Sequence, residues 1–309
     1  MAITAGMVKD LRERTGAGML DCKKALEHTE GNIEKAIEYL REKGLSQAAK
    51  KASRIAAEGL VAVNSDTSGK IAAIVEVNSE TDFVAKNDIF KSYVKEVADQ
   101  AMATNSTTIE EFLAEQWILD TSKTVTDVLN EKISLIGEKL NIRRFDKMNV
   151  TDNGIVESYI HGGGRIGVII EFVTDVVNDS IKECAKNIAM QVAAIAPKYV
   201  SRTEISEEFV EKEREILKQQ AINENPDKPE SIIDKMMVGR LNKQLKEICL
   251  VDQQYVKDGD FTVEQYVANV AKANGANLSI KRFVRFETGE GIEKKEENFA
   301  EEVARQIQQ

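Results

Sequence analysis

Apolar side chains recur at helical spacing through the first fifty residues. Ile3, Met7, Val8 and Leu11 share one helix face, Cys22, Ala25 and Leu26 form a second stripe, and Ile33, Ala36, Ile37 and Leu40 form a third. Gly16 and Gly18 break the first helix, and Gly31-Asn32 supplies a turn followed by an N-cap. Residues 1–55 therefore read as a three-helix bundle. The Ala/Lys/Arg-rich stretch 46–57 reads as a helical linker whose charges face solvent. The pattern then switches to strand-like alternation. Leu60, Val61 and Val63, followed by 71–77, predict two strands, with Asp66-Thr67-Ser68-Gly69 at the hairpin turn between them.

This strand pattern occurs twice. Residues 59–80, GLVAVNSDTSGKIAAIVEVNSE, align without a gap to 154–175, GIVESYIHGGGRIGVIIEFVTD, at the offset of 95 that separates Gly59 from Gly154. Glu76 meets Glu171, and His161-Gly162-Gly163-Gly164 takes the place of the first hairpin turn. Past that point the offset falls to 91, the distance from Asn87 to Asn178, so the first copy holds four extra residues, 81–84. Further on the offset is 138: Thr124-Val125 meets Thr262-Val263, and 140–145 meets 278–283. Each copy reads as strand–strand–helix–helix–strand, an α+β unit with its helices on one face of a small antiparallel sheet. The rise from 91 to 138 leaves 47 additional residues in the second copy, at about 206–252. Phe209 and Ile216 mark one helix there, and Ile233, Met237, Leu241, Leu245 and Ile248 mark another. Asn225-Pro226-Asp227-Lys228-Pro229 breaks the chain between them. This predicts a helical hairpin with too little core of its own, which packs on the body or serves a partner. In the last segment, 287–309, Phe299, Val303 and Ile307 predict an amphipathic helix.

Composition narrows the function. The 309-residue chain is 42% hydrophobic, enough for a substantial core, and its net charge of -10 disfavours binding to a phosphate backbone. Cys22, Cys184 and Cys249 have neither CxxC nor metal-ligand spacing and read as reduced thiols. The first residues lack the apolar core of a signal peptide, and no apolar run reaches membrane-spanning length, so a soluble, cytoplasmic protein is expected. His28 and His161 are the only histidines, and neither sits in a triad or zinc motif. Gly16-Ala17-Gly18 is a lone GxG, and Gly162–Gly164 lacks the Lys-Ser/Thr of a P-loop, so hairpin geometry explains it better. No constellation for covalent catalysis assembles, and no cofactor is expected. The remaining asymmetry is Thr81-Asp82-Phe83-Val84. It reads either as a capped loop with Phe83 tucked into the core, or as a protruding aromatic and carboxylate that wedge into a partner. A scaffold that only holds other helices is the main rival to a more specific activity.

Five motifs, in order along the chain, resemble the elongation factor Ts family. They are VKDLRERTGAGMLDCKKAL at 8–26, NSETDFVAKND at 78–88, YIHGGGRIGV at 159–168, ENPDKPE at 224–230 and FVRFETGEGIEK at 283–294. The resemblance implies an α+β protein with a helical, UBA-like N-terminal domain (1–55). Two homologous core subdomains (56–150 and 151–286) follow, each with a small antiparallel sheet, with a coiled-coil hairpin inserted in the second and a C-terminal helical module at 287–309. It implies a guanine-nucleotide exchange factor that binds elongation factor Tu carrying GDP, without covalent chemistry, membrane or nucleic-acid contact. Thr81, Asp82, Phe83 and Val84 would enter the GTPase domain and disturb its magnesium. Arg12, Met19 and Leu20 would touch the same domain, with Leu20 standing where methionine is common in the family. His161 would lie nearer the partner's other domains.

Overall fold

Three helices open the chain: α1 (Ala5–Thr15), α2 (Met19–His28) and α3 (Ile33–Lys51). The computed structural model describes residues 3–15 and 17–293. The expected break at Gly16 and the expected helix bearing Phe299, Val303 and Ile307 thus lie outside the described residues. Leu11, Cys22, Ala25, Leu26 and Ala36 are fully buried at the centre of the bundle, with Val8 beside them. The Asn32 side chain accepts the Lys35 N–H at 3.0 Å and so caps α3.

The reading of 46–57 as helical linker needs correction. Helix α3 stops at Lys51, and residues 52–57 form a turn and an extended segment. Ala56 and Ala57 are buried, and the carbonyls of Ala52 and Arg54 accept from Lys139 Nζ at 2.7 and 2.8 Å. A lysine distant in sequence captures these carbonyls, and local helix propensity gives way to that tertiary contact.

The first copy of the repeat contains β1 (Glu58–Ser65), β2 (Ile71–Ser79), α4 (Asp82–Lys86), α5 (Asp88–Ala103), α6 (Ile109–Ala114), β3 (Gln116–Trp117), β4 (Asp120–Thr124), α7 (Val125–Ile136) and β5 (Asn141–Asn149). The second contains β6 (Gly154–His161), β7 (Ile166–Thr174), α8 (Asp179–Ile195), α9 (Glu207–Glu224), α10 (Glu230–Ile248), α11 (Val263–Asn274) and β8 (Leu278–Glu287). Mixed helices and small antiparallel sheets make this an α+β protein. The sheet orders are β1-β2-β5 and β6-β7-β8, each wholly antiparallel. Matching details recur at the predicted offsets. Bulges fall at Glu76/Val77 and Glu171/Phe172. Thr124 and Thr262 each form a capping box, and Gly137 and Gly275 close the same two helices in the left-handed conformation. Helix α6 and the β3–β4 pair have no counterpart in the expected five-element pattern. They are too short for periodicity to register.

The two sheets stack face to face. Val61, Ala72, Ile74 and Met148 of one meet Val156, Ile169 and Phe286 of the other. The outer face of the first sheet is covered by α5 and α7, and that of the second by α8 and α11. The hairpin turns seal this interface reciprocally: Val61 N donates to Gly164 O, and Val156 N to Gly69 O, both at 2.7 Å. The bundle joins this body through α3, where Arg41 pairs with Asp127 on α7 at 2.5 Å. Helices α9 and α10 pack on each other through Ala221, Ile233, Met237 and Leu241, all buried, and Lys218 reaches Asp234 at 2.9 Å. Their base is laced shut where Leu250 N donates to Tyr199 O and Tyr199 N to Ile248 O. No described helix is long and apolar enough to cross a membrane.

Gly59 occupies a position that admits no side chain. Its φ is +132°, and an added Cβ would drive into the backbone of Val77 and Asn78 on β2. Gly59→Ala is expected to destabilise the fold by about 2 kcal/mol, because neither strand can yield without losing ladder bonds. Urea unfolding of the variant against the parent chain measures this.

Candidate functional site

The four extra residues of the first copy build a tip. Eight residues, 80–87, connect β2 to α5, whereas four, 175–178, connect β7 to α8. The additional length is folded into the single turn α4. Thr81 caps it, its hydroxyl accepting the Val84 N–H at 3.3 Å. Val84 and Ala85 face inward and join the first core. Asp82 and Phe83 therefore point outward, and Phe83 is 81% exposed. The alternative with Phe83 tucked into the core is excluded. Of the four residues predicted for the tip, Val84 anchors it while Asp82 and Phe83 are presented. Lys86 pairs with Asp82 at 2.6 Å, and this hydrogen bond holds the Asp82 carboxyl below the usual aspartate range.

The base of the tip is fixed by contacts that sequence reasoning missed. Glu138 accepts the N–H of Glu80 at 3.1 Å, the N–H of Thr81 at 3.0 Å and the Thr81 hydroxyl at 2.7 Å. The Glu80 carboxylate in turn accepts Lys139 N at 2.5 Å and pairs with Arg54 at 3.2 Å. The second copy keeps part of this arrangement, since Asp175 accepts Asn277 N at 2.8 Å. At the offset of 138, Lys139 corresponds to Asn277, whereas Glu138 corresponds to Ala276. That mismatch was the available signal.

The other predicted residues lie on separate elements. Arg12 is exposed on the last turn of α1, and Met19 and Leu20, 59% and 65% exposed, occupy the first turn of α2. Cys22, Ala25 and Leu26 take the inward positions of α2, which leaves Met19 and Leu20 outward. His161 is exposed at the end of β6, with its Nδ1 3.0 Å from the Tyr159 hydroxyl. Among the described residues no hydrogen bond, ion pair or ring contact joins α4, the start of α2 and His161. They are three separate surface features. The three cysteines are buried and unpaired, and burial pushes the Cys184 thiol up to about 12.

The chain is an α+β protein of two stacked antiparallel sheets and a helical bundle, and it presents Phe83 on α4 and Met19 and Leu20 on α2 to solvent. The family described as elongation factor TS matches residues 80–290. Elongation factor Ts of Clostridioides difficile is 56% identical over 308 residues, 99% of each chain. That of Clostridium kluyveri is 53% identical over 306 residues, and that of Clostridium botulinum (strain Eklund 17B) 52% over 305, again across 99% of both chains. The chain belongs to the elongation factor Ts family.

Proposed function

We propose that the chain is a cytoplasmic guanine-nucleotide exchange factor of translation elongation that binds elongation factor Tu and accelerates its release of GDP. The observation carrying this reading is the exposed Phe83 beside ionised Asp82, on a turn that the first copy of the repeat has and the second lacks. Helix α4 enters the partner's GTPase domain, and Phe83 supplies the buried area of an interface anchor. Magnesium demands near-ideal octahedral geometry. A wedge that shifted the partner's supports by about an ångström would therefore weaken the hold on the ion, and with it the hold on GDP. Arg12, Met19 and Leu20 grip the same domain, and His161 faces the partner's remaining domains. Residues 1–55 are the helical N-terminal domain, and 56–150 and 151–286 are the two core subdomains. The α9–α10 pair is a coiled-coil hairpin inserted in the last of these. The chain needs no cofactor of its own.

No covalent bond changes in this process. The factor favours a nucleotide-poor conformation of its partner, and linkage makes the effect reciprocal: incoming nucleotide weakens the factor's own binding by the same ratio and expels it. Purified elongation factor Tu loaded with fluorescent GDP and chased with unlabelled nucleotide tests the reading. Release should accelerate with added chain and saturate. A chain that binds the partner yet leaves the release rate at its basal value would overturn it.

A further inference from the structure

We infer that Glu138 is a positioning residue that aims the α4 tip, an inference that rests on the exchange reading above. Helix α4 has five residues, far fewer than an isolated helix needs to persist. Its direction must therefore come from its anchors. Val84 and Ala85 fix its inner face. Glu138 fixes its entry, because one carboxylate receives three donors from the two residues immediately before it. Such charge-assisted bonds are short and directional. Glu138 itself is held in place by the left-handed Gly137 that ends α7.

The duplicated fold supplies an internal control. Both copies join the entry of the first helix to the segment after the second: Glu80 to Lys139 N in one, Asp175 to Asn277 N in the other. That shared bond serves the scaffold. The copy with the tip adds Glu138, and the copy without it has Ala276 there. Tip and carboxylate occur together or not at all. Glu138 is half-buried and its three hydrogen bonds all go to the entry of α4, so the inferred effect is exerted through the orientation of Asp82 and Phe83.

The test compares GDP release from elongation factor Tu at saturating factor for Glu138→Ala, Glu138→Gln, Phe83→Ala and the Glu138→Ala/Phe83→Ala double variant. Thermal unfolding and amide hydrogen exchange across 81–86 are followed in parallel. Glu138→Ala should slow stimulated release by roughly five-fold, loosen the 81–86 amides and lower the unfolding midpoint by only a few degrees, about what loss of a local carboxylate clamp costs in a chain of this size. Glu138→Gln keeps an acceptor oxygen and should recover much of the rate. With Phe83 already truncated, Glu138→Ala should cost less than about two-fold more, since both act through one wedge. If Phe83→Ala slows release and Glu138→Ala does not, the positioning role falls and the exchange reading stands. Fully additive losses in the double variant also remove the positioning role. If neither substitution changes release, the α4 wedge fails and takes this inference with it, whereas the exchange reading fails only if the unaltered chain leaves release at its basal rate.

Discussion

Phe83→Ala is expected to reduce stimulated GDP release by about ten-fold or more, while the factor unfolds at its normal temperature. The two halves of that expectation have different origins. Phe83 is largely solvent-exposed in the free chain, so its truncation removes no buried contact and opens no cavity. Within the proposed complex the ring becomes an anchor between helices of the partner, where loss of a buried aromatic costs about 2 kcal/mol or more. Stopped-flow release of fluorescent GDP, beside thermal unfolding of the free variant, separates the two. A variant with wild-type release would dismiss the wedge. A variant that unfolds early would show a folding role that the exposed ring gives no reason to expect.

The second large effect concerns the scaffold. Glu76 lies on β2 with no exposed surface, and its carboxylate meets Arg144 Nε at 2.6 Å, Arg143 Nη1 at 3.1 Å and Gly289 N at 2.8 Å. Burial by itself pushes the carboxyl upward. The Gly289 N–H, the Asn78 amide and the Arg144 guanidinium outweigh that and hold it below the usual glutamate range. Glu76→Gln removes the buried charge that two half-buried arginines share and loosens the turn after β8; Arg143 keeps Glu290 O and Arg144 keeps Glu287 O and the Glu290 carboxylate, so the chain should be destabilised by about 2 to 3 kcal/mol. Its twin Glu171 pairs with Lys281 at 2.7 Å and Arg282 at 3.0 Å. Those partners are more exposed and water compensates them, so Glu171→Gln should cost only about 1 kcal/mol. The pH dependence has a definite sign. A carboxyl whose folded pKa is depressed contributes fully above its unfolded value, near 4.5, and loses that contribution as pH falls toward the folded value. Urea unfolding should therefore show the gap between the wild-type chain and Glu76→Gln widest near neutrality and shrinking below about pH 5. A gap that stays constant down to pH 3 would contradict the ion-pair account.

Much of this protein was determined by the sequence alone. Repetition of apolar alternation, glycine-bearing turns and helical spacing placed the three main strands and the main helices of each copy, because those signals depend on neighbours a few residues apart, while β3, β4 and α6 were too short to register. The same alignment located the four surplus residues and ranked them as the place to look. The direction in which Phe83 points was decided only by tertiary structure. One turn of helix is too short for its periodicity to define a face, and the choice came from Val84 and Ala85 finding the first core. The stacking of the sheets, the early end of α3 under Lys139 and the clamp from Glu138 were likewise settled by contacts between residues some 60 to 100 positions apart. Local patterning specifies which face of an element is apolar. Which distant group satisfies a given backbone N–H or carbonyl depends on how the elements dock, and that is fixed only when the whole chain has folded.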